Sequence, residues 1–322
     1  MRPVVETGAH EGAGLARLVC SNSFKGRDLH QARGLLKAEG EVLGSMLLCL
    51  AADCSVPAGA ALAVDRERFS ASVEAALEDE HLIEIVRSEV TDFPEAPTVL
   101  ASGPLTSSAL LLVLERELGG RRLFFHDATA PVVSADSLDR RIVFAAGRHG
   151  RDADYLNVGL DRERYEDFRR RLLTAPRAPV HGADEGLPDD DFAVFEGCLP
   201  LEVLAERSED ALRFGPLRPV GLRRPDTGES FHAVLQLRAE DHEGGRYNLV
   251  GCQTRLTPPA QRELFRSLPG LDNLEFVRYG RMHRNSYLDG PALLRPSLEL
   301  RAGPVSSSRD SSAALRGTVR QS

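Results

Sequence analysis

The chain has 322 residues, 42% of them hydrophobic, which supports one large or two ordinary packed domains and excludes a disordered polypeptide. Its apolar runs fall far short of the roughly 20 residues of a membrane span, and charge occupies the first positions where a secretory core would lie, so a soluble, cytoplasmic protein without a membrane partner is expected. A net charge of -8 argues against general nucleic-acid coating, and five cysteines without a C-x-x-C pair argue against a zinc ribbon or a disulfide framework, leaving reduced thiols and no metal as the expectation.

In chain order, "GAGLAR" at Gly12–Arg17 imitates a dinucleotide-binding loop. Arg17 stands where a third glycine would permit close helix packing, and no hydrophobic strand precedes the motif, so it is rejected. The chain contains no Walker A loop, no H-E-x-x-H and no G-x-S-x-G. "RLVCSNS" (Arg17–Ser23) sets Cys20 at the end of an apolar run among small hydrogen-bonding residues. Alone, this fits either a buried space-filler or a reacting thiol, since reactivity needs local dipoles or charges that lower the pKa from about 8.5. Cys49, Cys54 and Cys252 lie in apolar stretches and read as core. Asp65 can cap a helix running to Glu80, with Phe69, Val73, Ala76 and Leu77 at helical spacing. "HLIEIV" then reads as a strand. "TVLASGP" is a second strand that stops at Ser102, Gly103 and Pro104, either an ordinary loop or the turn where a nucleotide lies in an open α/β sheet.

Beyond Arg141 the texture changes. "LDRERYEDFRRRLL" predicts an amphipathic helix with Tyr165, Phe168 and Leu172 on one face, followed by the polar connection "APRAPVHGADEGLPDDD". Cys198 sits in "FEGCLP", beside Glu196 and Gly197. "FHAVLQLRAE" and "GRYNLVGCQ" predict a hairpin around "DHEGG", and Thr257, Pro258 and Pro259 open a helix that Gly270 closes. Residues 142–273 therefore read as a separate lobe. Arginines concentrate in Arg213–Pro225 and Val277–Asn285, interleaved with Phe214, Tyr279 and His283, which fits a solvated face or contacts to phosphates and stacked bases. The Ser/Arg-rich segment 302–322 lacks apolar periodicity and is expected to be disordered.

The blocks "LVCSNS", "CSVPAGAALAVDRERF", "ASGPLTS", "HDATAPVV", "FEGCLPLEV", "RFGPLRPVGL", "NLVGCQT" and "VRYGRMHRN", in this order, resemble the folate- and flavin-dependent tRNA uracil-C5 methyltransferases, the TrmFO family. The resemblance runs from Met1 to about Leu300. The larger GidA-type wobble-uridine enzymes share the fold, but "LVCSNS" and "FEGCLP" favour the methyltransferases. The resemblance implies an α/β fold: a glutathione-reductase-like, Rossmann-type FAD-binding domain (1–141, resumed at 274–301) with an inserted α+β lobe (142–273). It implies FAD as cofactor, methylenetetrahydrofolate as one-carbon donor, NAD(P)H as reductant, and a T-loop uridine of tRNA as substrate. Cys20 and Cys198 match the two family thiols implicated in catalysis, one as nucleophile and the other as base. Ser102 and Gly103 match a strand end at the flavin site, His283 and Asn285 match a block near flavin and folate, and Arg218 and Arg281 become candidates for tRNA phosphate contact.

The chain also departs from the family. The first βαβ unit, with its G-x-G-x-x-G loop, is missing ahead of Met1, and the Ser/Arg tail replaces a glycine-rich flavin block. Loss of that loop removes a pyrophosphate cradle. A truncated, catalytically inactive homologue that at most binds tRNA is the alternative expectation.

Overall fold

The computed structural model describes residues 12–93, 98–103, 105–118, 123–150, 152–179, 198–287 and 289–300, with the backbone of 316–317. Apart from that pair, the tail expected to be disordered lies outside the described residues, as does the polar connection from residue 180 onward.

The N-terminal layer contains β1 (Ser23–Gly26), α1 (Ala32–Val42), α2 (Met46–Asp53), β2 (Ser55–Val56), β3 (Ala61–Val64) and α3 (Arg66–Glu78). Its strands form an antiparallel sheet in the order β1-β3-β2. The predicted helix is α3: Asp65 caps it by accepting from the Glu67 and Arg68 amides, which satisfies two of the free N–H groups of a first turn. Phe69 and Val73 pack with Ala51, Cys54, Leu62 and Val64 in a small core, and Phe24 meets Phe69 edge-on. Cys54 is buried as expected, but Cys49 is exposed. Ala51 and Cys54 carry the inward stripe of α2, and Cys49 projects from the other side of the same helix.

"HLIEIV" is not a strand. Leu82, Ile83 and Val86 are exposed, and the Ile83 amide closes a turn onto the Glu80 carbonyl. Apolar character cannot hold a strand where no neighbour takes up its backbone groups.

Next come β4 (Val99–Leu100), α4 (Ser108–Leu118), β5 (Leu123–Ala128), β6 (Val132–Ser134), β7 (Phe144–Ala145), β8 (Tyr155–Leu160) and α5 (Arg162–Thr174). They are followed by α6 (Leu201–Arg207), α7 (Ala211–Phe214), β9 (Ala233–Ala239), β10 (Arg246–Leu249), α8 (Pro258–Arg266), β11 (Phe276–Arg278) and β12 (Met282–Tyr287). A six-stranded sheet runs β11-β6-β10-β9-β8-β7 with antiparallel neighbours throughout, and it includes the predicted hairpin as β9 and β10. The sheet extends past the 142–273 span expected for a lobe, because β6 and β11 lie outside that span. Parallel pairing among the described residues joins β4 to residues 316–317.

Strand β9 is buried along its whole length. Leu235 and Leu237 stand opposite Val158 and Leu156 of β8 and face the main core, which α5 completes with Tyr165, Phe168 and Leu172 and α8 with Leu264 and Phe265. The alternate residues Gln236 and Arg238 point to the other face and bond to Asn157 and Asn22. One strand thus closes an apolar core on one side and receives the N-terminal layer on the other. Phe168, 1% exposed and 6.1 Å in ring-centroid distance from Phe265, fills the centre of that core. Phe168→Ala is expected to cost about 3–5 kcal/mol, read as a lower urea midpoint.

Candidate active site

Cys20 lies in a loop held from both sides. The fully buried Asn22 donates through Nδ2 to the Val64 and Ala239 carbonyls, at 3.0 Å each, and its Oδ1 accepts from Arg238 Nε. Arg66 donates to the carbonyls of Leu18 and Cys20. The Cys20 sulfur is left facing the end of β5, 3.9 Å from the Ala128 carbonyl.

Cys198 reaches the same place by a different route. Two residues of chain separate it from α6, whose Leu201 is fully buried in the main core. Glu202, also fully buried, accepts from Thr254 Oγ1 at 2.9 Å and from the Arg255 amide at 2.8 Å, tying α6 to residues 254–255. The turn before β12 passes so close to this junction that a Cβ at Gly280 would fall 2.8 Å from both the Thr129 carbonyl and Thr254 Cγ2. Only glycine fits there without displacing the β5–β6 connection.

Antiparallel pairing of β12 with β5 sets His283 opposite Asp127 and Met282 opposite Ala128. The sulfurs of Cys20 and Cys198 and a carboxylate oxygen of Asp127 all lie within 4.8 Å of one another. A hydrogen bond from Cys198 holds the Cys20 thiol below its ordinary pKa; Lys25 and Arg66 act in the same direction, against burial and Asp127. Donating that bond raises Cys198, and burial and the Asp127 charge add to the rise. Burial pushes the Asp127 carboxyl up, opposed by His283 and by the bond from Cys198, while burial pushes His283 down toward the neutral imidazole. The two cysteines therefore share a proton, with the thiolate favoured on Cys20 and a protonated donor on Cys198.

Asp127 Oδ1, His283 Nδ1 and Asn285 Oδ1 are buried without a hydrogen-bond partner among the described residues. Buried polar atoms are costly unless something completes them. A flat heterocycle rich in amide-like edges, such as a flavin or a pterin, has the complementary groups, so the donor set fits the cofactors that the resemblance implies.

The remaining sequence-derived residues sit elsewhere. Ser102 and Gly103 form their own turn: Ser102 Oγ lies 2.6 Å from Thr106 Oγ1, which donates to the Gly103 carbonyl, and Gly103 has φ 75° with open space where a Cβ would be. Arg218 is exposed, its carbonyl accepting from Arg148. Arg281 is exposed beside the cluster, its carbonyl accepting from the Thr129 amide at 2.8 Å. His283 is 5% exposed, so it belongs to the interior and not to an arginine-aromatic surface for bases. Sequence reasoning missed Asp127 as a site residue, although "HDATAPVV" was among the telling blocks. Its signal was a carboxylate at the end of a strand, which gains meaning only when β12 and both cysteine loops converge on it.

A two-thiol, one-carboxylate cluster beside unfilled polar atoms, in a mixed α/β scaffold, defines an enzyme-like site for covalent thiol chemistry. Comparison with known sequences places the chain: the profile of the family described as glucose inhibited division protein A matches residues 4–305. The chain belongs to that family and, within it, to the TrmFO group. It is 50% identical over 307 residues to the methylenetetrahydrofolate–tRNA-(uracil-5-)-methyltransferase TrmFO of Geobacter sulfurreducens, covering 94% of this chain and 69% of the relative. It is 49% identical to the protein of the same name from Moorella thermoacetica, with the same two shares. Among solved structures, Aquifex aeolicus GidA superposes with a TM-score of 0.62 at 14% identity, covering 89% of this chain and 52% of that one, which establishes the shared fold. The chain spans about half the length of that structure.

The charge arrangement predicts an order of reactivity. The alkylation rate of Cys20 should reach half its maximum at a lower pH than that of Cys198. Asp127→Asn removes a negative charge that raises both thiols, so both midpoints should move to lower pH. The check is iodoacetamide labelling against pH, resolved by peptide mass spectrometry.

Proposed function

We propose that this chain carries out the chemistry for which its relatives are named, transfer of a one-carbon unit from methylenetetrahydrofolate to C5 of a uracil in tRNA. FAD is the cofactor, NAD(P)H the reductant, a T-loop uridine the target and the cytoplasm the setting. The observation that carries this reading is the meeting of Cys20 and Cys198 at one buried point beside Asp127.

Uracil C5 is a poor nucleophile until a thiolate adds at C6; the resulting enolate can attack an electrophilic one-carbon unit, after which a base must take the C5 proton and the sulfur is eliminated. The sulfur pair supplies what this sequence needs: one thiolate to add, and a second sulfur to give or take a proton. Asp127, its pKa raised by burial, is placed to relay that proton. FAD, when bound, supplies the electrons that bring the one-carbon unit to the methyl level. His283 and Asn285 would hold the edge of the flavin or folate through their unpartnered atoms, and the open turn at Ser102 and Gly103 would give a flat group room. Arg218 and Arg281, both exposed, are proposed as contacts to tRNA phosphates.

The test has two readouts. The chain, mixed with FAD and desalted, should keep visible flavin absorbance and should move labelled one-carbon units into tRNA. Cys20→Ala and Cys198→Ala should each abolish transfer, by roughly a thousandfold or more, while leaving flavin bound. Wild-type turnover in either variant would overturn the assignment of the thiols. A colourless chain that binds tRNA and transfers nothing would establish the inactive reading instead.

A further inference from the structure

We infer that the buried Arg66–Glu240 pair is the positioning device of Cys20, fixing the loop that carries the thiol and setting the charge behind it. The inference rests on the reading of Cys20 as a reacting thiol.

Arg66 is out of place on local grounds. It is the first residue of α3, directly after the Asp65 cap, where a cation opposes the helix dipole. It is also 8% exposed, although arginine is rarely buried unless paired. Its partners resolve both anomalies. Nε donates to Glu240 Oε2 at 2.6 Å and Nη2 to Glu240 Oε1 at 3.2 Å, a two-point contact with a carboxylate that is itself 5% exposed. Nη1 donates to the Leu18 carbonyl at 2.5 Å and reaches that of Val19 at 3.5 Å, while Nη2 donates to the Cys20 carbonyl at 3.3 Å. The planar fork spends all of its nitrogens on these contacts, and a lysine could not reproduce the pattern.

Glu240 follows β9 directly, and its amide bonds to the Arg246 carbonyl, so its position is set by the six-stranded sheet. The pair therefore ties three consecutive carbonyls of the Cys20 loop, through α3, to a rigid strand of another layer. It also places a guanidinium behind the peptide of Cys20, on the side away from Cys198 and Asp127. The charged and titratable groups acting on Cys20 are Cys198, Asp127, Lys25 and Arg66. Glu240 stands behind Arg66, His283 behind Asp127, and Arg238 reaches Ser21 Oγ beside the loop. With Glu240 neutralising part of its charge, Arg66 acts on the thiol as a moderated cation.

The two halves of the pair should therefore move the thiol in opposite directions. Arg66→Met removes the cation and should shift the alkylation midpoint of Cys20 upward by roughly half a pH unit or more. Glu240→Gln keeps the shape and an acceptor but leaves the cation uncompensated, and should shift the midpoint downward. The measurement is iodoacetamide labelling of the full chain against pH, following the tryptic peptide of residues 18–25, with circular dichroism confirming that each variant is folded. Should Arg66→Met fail to fold, the downward shift in Glu240→Gln still decides. Unchanged midpoints, or both variants drifting toward the value of a free thiol, would overturn the inference, because a merely structural pair predicts loosening in both. Alkylation reads the thiol without turnover, so a failed methylation assay with opposite shifts would count against the proposed function and leave this inference standing.

Discussion

The site depends on a junction between two layers that is made almost wholly of buried polar groups. Asn22 bridges the backbone of β3 to the end of β9, and Arg238 of β9 completes it. Such bonds contribute modestly when made but cost heavily when one partner is lost, so the junction acts as a specificity lock more than as a source of stability. It permits one docking arrangement of the N-terminal layer, and that arrangement aims Cys20 at the end of β5. The apolar core under α5 and α8 supplies the stability on the opposite face of the same strand.

The cluster itself shows why titratable groups are gathered where water is scarce. With little solvent to screen them, the two thiols and Asp127 cannot all ionise, and the competition sorts them into a thiolate, a protonated donor and a carboxyl of raised pKa. That sorting is what addition to a uracil ring and removal of its C5 proton would need. The unfilled atoms of His283 and Asn285 extend the polar face beside the sulfurs, so the place where a heterocycle would lie and the place where bonds would change adjoin on one strand ribbon.

Much of the local structure was legible in the sequence. The Asp65 cap, the Tyr165–Phe168–Leu172 stripe and the β9–β10 hairpin follow from capping chemistry and periodicity, which act over a few residues. The importance of Cys20 and Cys198 came from the family resemblance, while their contact could be seen only in the folded chain. Readings failed where tertiary partners decide: "HLIEIV" has strand character and no neighbour, and Cys49 sits in an apolar run on the wrong side of its helix. Buried polar residues were the least legible class. Arg66, Glu202 and Gln261 look like surface residues in any window of sequence, yet each is buried because it satisfies backbone groups brought from distant segments.

The claim on which the rest stands is that Cys20 and Cys198 face each other. Mild oxidation of the folded chain with diamide, followed by non-reducing peptide mapping, tests it most directly. The account predicts a Cys20–Cys198 disulfide, with Cys54 and Cys252 recovered as free thiols because both are buried. Recovery of Cys20 and Cys198 as separate, unlinked peptides under oxidant that links other cysteines would contradict it.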